Sequence, residues 1–106
     1  MELAPEHWAA LERLHAAGFG LVAFPMHARY VGARKGNCAA LLEPSAEGFT
    51  IYGQPCYMVS GNLSARVTRE GKQWFVWKGT QVEATAERLA ELAGFVAELR
   101  ALLARA

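Results

Sequence analysis

Two grammars of hydrophobic and polar positions alternate along the chain. Near the start, Trp8, Leu11 and Leu14 recur at helical spacing. Such spacing makes one apolar stripe on a helix, predicted here from about Pro5 to Ala17. Pro5 suits the first helical position, where its missing N–H costs nothing. Glu6 in the first turn complements the helix dipole, and Gly18 is the expected left-handed stop.

From Phe19 to Lys78 the pattern shifts to short β-prone runs split by Gly, Pro and Asn. The expected strands are 20–24, 26–31, 38–43, 49–52, 56–59, 63–69 and 72–78. Between them, Gly32 to Asn37 reads as a hairpin loop. Pro44 to Gly48, Pro55 and Ser60-Gly61-Asn62 read as further turns. The sharpest expectation is a two-residue turn at Glu70-Gly71. It pairs Arg69 with Lys72, Val67 with Trp74, Ala65 with Val76 and Leu63 with Lys78. The other face then carries Ser64, Arg66 and Thr68 opposite Trp77, Phe75 and Gln73. Several strands are apolar on both faces, so much of both sheet faces should be covered.

The last segment returns to helical spacing. Leu89, Leu92, Val96, Leu99 and Leu103 step by three and four, widened by Phe95 and Leu102. Thr85 is the predicted N-cap of a helix over about 86–104. Glu87 stands in its first turn, and Arg100 and Arg105 near its C-terminal end. The expected fold is therefore a single α+β domain. A helix (5–17) precedes an antiparallel meander of five to seven strands (19–78), and a long C-terminal helix packs on the sheet.

Composition sharpens this picture. The 106 residues include 53% hydrophobic residues. With glycine counted and tyrosine left out, the apolar share still exceeds the usual ~45–50%. Small domains have much surface to cover with polar groups. The excess therefore points to a partner surface, and a homodimer is expected. Two helices on one face of the sheet would leave the Phe75/Trp77 face for a second subunit.

Net charge is +1, which commits the chain to neither nucleic acid nor membrane. Residues 24–82 form the basic part, with seven Lys/Arg against three Glu. No aspartate occurs anywhere, which removes Ser-His-Asp triads, EF-hands and aspartyl nucleophiles. The acidic, amphipathic opening does not read as a secretory leader. No apolar run approaches a membrane span. A cytoplasmic protein with reduced Cys38 and Cys56 is expected.

Three candidate sites emerge. The first is the basic run around Gly32–Asn37, where Arg34 and Lys35, with Arg29 on the strand leading in, could hold a phosphate, an acidic partner or RNA backbone. A solvated turn is the plain alternative. The second is the aromatic face of Phe75 and Trp77 with Arg66 opposite. It reads as core, dimer interface or ligand platform. The third is a thiol: Cys38 looks like buried packing, whereas Cys56, beside a turn, is the more accessible and could be activated by His27. The cysteines and histidines show no zinc spacing. His7 and His15 lie too far apart on the first helix to pair on a metal, and no cofactor is expected. Glu43, Glu47 and Glu70 sit at expected turns, where carboxylates are usually solvated.

The leading functional expectation is a non-catalytic binding or adaptor domain, acting as a homodimer and recognising a protein or a small anionic ligand. The alternatives are a single-stranded RNA binder using the basic loop and aromatic face, and a small enzyme with a pocket between the sheet and the C-terminal helix.

Overall fold

A computed structural model describes residues 3–46 and 48–104. Glu47 and Arg105, both weighed above, lie outside the described residues. The fold is α+β, with a helix near each end and seven strands between.

Helix α1 spans Pro5–Ala16. Its buried residues are His7, Ala10, Leu11 and Leu14, which is helical spacing. Leu11 and Leu14 lie on the expected stripe, and Trp8 does not. Trp8 is 56% exposed, because the stripe centres between Ala10 and Leu14. Gly18 ends the helix as expected, with φ +92°. The Phe19 N–H reaches Leu14 O at 2.9 Å and the Gly18 N–H reaches His15 O at 3.0 Å. These two bonds form a Schellman cap.

The strands do not form one meander sheet. β1 (Gly20–Val22), β2 (Val31–Lys35), β3 (Cys38–Ser45) and β4 (Gly48–Tyr57) make a four-stranded antiparallel sheet in that order. β5 (Ala65–Arg69), β6 (Lys72–Trp77) and β7 (Thr80–Glu83) make a separate three-stranded antiparallel sheet. The expected strand over 26–31 is instead a short 3₁₀ turn, Pro25–His27, followed by bends. The expected loop over 32–37 is mostly β2, with only Gly36-Asn37 left as the turn. Glycine at the first turn position, φ +60°, suits a two-residue hairpin, so the strands close tightly around it. Gly32 lies inside β2 because Phe24 packs on it. A Cβ there would stand 2.5 Å from the ring and 2.8 Å from Val22 O.

Pro55 does not end a strand. It belongs to a bulge in β4, where Gly53, Gln54 and Pro55 oppose the single residue Ala40. Gly53 takes φ +69° there. The Glu70-Gly71 hairpin has the expected register, with Arg69↔Lys72, Val67↔Trp74, Arg66↔Phe75 and Ala65↔Val76. The ladder ends at Ala65, so Leu63 and Ser64 are not paired with Lys78 and Trp77. A second tight turn at Lys78-Gly79, both with positive φ, leads into the unanticipated β7.

Helix α2 spans Ala86–Leu103. Thr85 caps it, its Oγ1 accepting from the Arg88 N–H at 3.2 Å. Leu92, Phe95 and Leu99 are buried along the expected stripe. One hydrophobic core joins all these parts. It includes Leu14 from α1, Phe19, Ala33, Leu42, Phe49, Phe75 from the second sheet, and Leu99 from α2. No helix among the described residues is long and apolar enough to cross a membrane.

Candidate functional site

The basic residues proposed to gather in one loop are dispersed. Arg34 and Lys35 are neighbours on β2, so their side chains leave opposite faces of the sheet. Arg34 is exposed, and Arg29 is exposed in the bend after the 3₁₀ turn. Beside Arg29, the Tyr30 ring stacks on Tyr52, centroids 4.3 Å apart. The hydrogen bond with Tyr52 pushes the Tyr30 hydroxyl pKa upward.

Lys35 has an internal task. Its Nζ donates to Ala17 O at 2.8 Å and to the Glu98 carboxylate at 2.9 Å. It also stands 5.2 Å from the Phe19 ring centroid. One ammonium thus satisfies a carbonyl at the end of α1, pairs with α2 and covers an aromatic face. One turn away, the Asn37 side chain donates to Glu91 at 3.3 Å. Glu91 and Glu98 are seven residues apart on α2, hence on one helix face. The Gly36-Asn37 hairpin is docked on that acidic face instead of offered to a ligand.

The aromatic face is also largely internal. Phe75 is 1% exposed and stacks on Tyr57 at 5.2 Å. It is core, not an open platform. Trp77 packs partly against the core. The Lys78 ammonium sits 5.1 Å from its ring centroid. Trp77 and His27 line a cavity of about 390 Å³.

Neither thiol fits the reactive reading. Cys56, expected to be the accessible one, is 7% exposed. Burial pushes its pKa up, partly offset by hydrogen bonds with Ser64. Burial, reinforced by the charge of Glu91, pushes Cys38 up to about 12. A thiol is a weak nucleophile until ionised. His27 and Cys56 line the same cavity, yet no hydrogen bond joins them among the described residues.

The third histidine is a structural clamp. His7 Nδ1 accepts from the Ala4 N–H at 2.9 Å, and Nε2 donates to Ser45 O at 2.7 Å. The first bond satisfies the N–H of the N-cap residue Ala4 from the third helical position, the half of a capping box that a Glu or Gln more often supplies. The second ties α1 to the end of β3. No group of three or more His, Cys, Asp or Glu among the described residues could hold a metal ion.

What the structure does assemble is a cleft between the two sheets, floored by α2. Two adjoining cavities, about 480 and 700 Å³, share Gln54, Pro55, Arg66 and Leu92 in their walls. The smaller reaches Phe75, Cys56 and Ser64. The larger runs along α2 past Leu89, Val96 and Arg100, with Thr68 and Gln73 opposite. Of the sequence candidates, Arg66, Phe75 and Cys56 meet here. Arg29, Arg34, Lys35 and Trp77 do not.

The backbone explains why the cleft is open. After β4 the chain turns tightly through Ser60 and Gly61, both with positive φ, and Val59 and Asn62 exchange two hydrogen bonds. Continued outward, that register would set Tyr57 against Ser64 and Pro55 against Arg66. In an antiparallel ladder alternate residues direct their N–H and C=O to the same neighbour. Met58 bonds to Asn37 across the β3 side, so Cys56 also faces β3, and Tyr57 and Pro55 face outward. On β5 the two-residue turn makes Arg69↔Lys72 a bonded pair. Ser64, Arg66 and Thr68 therefore turn their backbone groups toward β4. At Tyr57 the Ser64 hydroxyl, not its N–H, donates to the carbonyl. At the next position Pro55 has no N–H to give, and the bulge bends β4 away. The two strands splay, and the gap between them is the smaller cavity.

Sequence reasoning missed Gln54, Pro55, Thr68, Gln73 and Arg100. The one available signal was a proline inside an otherwise β-prone run, which marks an edge or a bulge. No protein-family model, curated protein or solved structure matches this chain.

Proposed function

We propose that this domain is a non-catalytic binding module that takes an anionic group in the cleft between β4, β5 and α2. The observation that carries this reading is the pair of cations in the larger cavity. Arg66 comes from β5 and Arg100 from α2, and no carboxylate lines either adjoining cavity. Neither arginine has an ion-pair partner among the described residues. Guanidinium forks suit carboxylate or phosphate recognition. Leu89, Leu92 and Val96 supply apolar contact beside them, and the volume lies within the range of ligand pockets.

Both cysteines favour the thiol form, which argues against cysteine catalysis. The RNA-binding alternative loses its stacking surface at Phe75. Free, buried thiols support the cytoplasmic expectation. The apolar excess of the sequence supports the homodimer reading. Sedimentation at micromolar concentration tests it, and a monodisperse monomer would remove it.

The anion reading is tested by titrating the protein with succinate while following arginine side-chain N–H resonances by NMR. Shifts at Arg66 and Arg100 are expected, weakening with salt. They should be lost in Arg66→Gln and Arg100→Gln. Unmoved resonances at both arginines would refute the reading.

A further inference from the structure

The cleft has a shape that an anion alone does not explain. Its two long sides are strand edges. β4 pairs only with β3, and β5 pairs only with β6. No backbone hydrogen bond joins the facing edges beyond the Val59–Asn62 turn, among the described residues. Arg66 and Thr68 each present an outward N–H and C=O, and Pro55 presents a C=O alone. Backbone polar groups are obligatory hydrogen-bonding groups. Two unpaired edges beside an apolar floor are a template for an added strand.

We infer that the cleft binds an extended, acidic peptide segment as an extra strand along β5. Inserted there, the segment takes its ladder bonds from Arg66 and Thr68. Alternate side chains point to the two faces of the extended sheet. One set faces Leu92 and Val96 on α2, where Arg66 and Arg100 stand at the rim. Peptide carboxylates pair with those guanidiniums, and apolar side chains meet the leucine and valine floor. The inserted strand bridges β5 toward β4, joining the two sheets across the gap that Pro55 keeps open. The occupant is specified by charge: a basic segment would face two arginines with no acid to offset them. This inference rests on the anion reading and adds the backbone ladder to it.

The test uses a heptapeptide with glutamate, valine and glutamate at positions 2, 4 and 6 and serine between them, so that both carboxylates and the valine share the face turned to α2, with two versions N-methylated on one or the other alternate set. Binding is followed by fluorescence polarisation, and amide exchange of the protein by NMR. The expected result is protection of the Arg66 and Thr68 amides on binding. Methylating the set that faces β5 should weaken affinity about tenfold or more, since each lost ladder bond counts separately. The other set should matter less, because β4 offers its N–H groups one free acceptor, the Pro55 C=O, the Tyr57 C=O being held by the Ser64 hydroxyl. Pro55→Val restores an outward N–H, so β4 and β5 should zip together and peptide affinity should fall. Equal affinity for all three peptides, exchange unchanged at Arg66 and Thr68, or undiminished binding by Pro55→Val would each overturn strand insertion. Succinate shifts at Arg66 and Arg100 without peptide binding would leave the anion reading standing and remove the strand. Absence of both responses would remove both.

Discussion

The two sheets of this molecule are built from similar hairpins and held by different forces. In the four-stranded sheet, β3 is buried over its first five residues, and both helices rest against the strands. In the three-stranded sheet only Phe75 is buried among the strand residues. Its flanking strands β5 and β7 have no buried residue. Burial of apolar surface is the dominant stabilising term, so stability is concentrated in the first sheet. The second is held mainly by Phe75, with Trp77 and Val82 only partly buried against the core. A unit so attached can present open edges, which a core strand cannot.

The largest losses are expected where a fully buried side chain holds either sheet in place. Phe75→Ala removes the main hold on the second sheet and is expected to cost about 3–5 kcal/mol. Leu99→Ala, in the helix over the first sheet, should cost about 2–5 kcal/mol. Val67→Ala, on the second sheet's half-exposed face, should cost less than about 1 kcal/mol. Urea unfolding measures all three. Val67→Ala as costly as Leu99→Ala would erase the distinction. Amide exchange offers the same comparison residue by residue, with β3 protected most and β5 least.

Gly32→Ala probes packing within the first sheet. The added Cβ meets both a ring and a backbone carbonyl below contact distance, so a loss of about 1–3 kcal/mol is expected. Unchanged stability by thermal or urea unfolding would mean that Phe24 can leave Gly32 at little cost.

The thiols give a pH test of the same sheet. Cys38 and Cys56 both have raised pKa values in the folded state. Their contribution to stability is therefore complete below the unfolded value near 9. It is lost as pH rises from there toward the folded value of about 12 at Cys38, because the unfolded chain ionises first. Stability should fall over that alkaline window, and less so in Cys38→Ala corrected for its packing loss. Native-state labelling by a thiol reagent near pH 8 should track global unfolding. Rapid labelling of folded protein would contradict the burial.

Lys35→Met should have a small effect, about 1 kcal/mol. Its ion pair with Glu98 is only half-buried, and such pairs contribute little. The bond to the Ala17 carbonyl adds the rest. A double-mutant cycle with Glu98→Gln separates the two contributions.

Local chemistry made parts of this fold readable along the chain. Thr85 before an apolar-periodic run, Gly18 after one, and Glu70-Gly71 between β-prone runs each act within a few residues. Their consequences do not depend on distant partners. The α2 stripe was readable for the same reason, since its five apolar positions span four turns and define one face. β7 was obscured because its Lys78-Gly79 turn uses a lysine with positive φ, which few side chains adopt. Trp8 misled because a large apolar residue dominates a short periodic pattern even when it lies at the stripe's edge.

The cleft was less legible. Arg66 and Phe75 were read as one face and Cys56 as a separate thiol, but Arg100 was read only as a helix-end cation. The basic residues that seemed to belong together, Arg34 and Lys35, were parted by strand alternation once Gly32 proved to lie within a strand. The chain by itself determined the two helices and their ends, the Glu70-Gly71 hairpin and the lack of a backbone N–H at position 55. Only the tertiary structure decided that the strands divide into two sheets, that Lys35 turns inward to Glu98, and that Arg66 and Arg100 share a cleft. These choices depend on which apolar faces meet and which edges stay unpaired. Such contacts join residues tens of positions apart, and no local pattern encodes them.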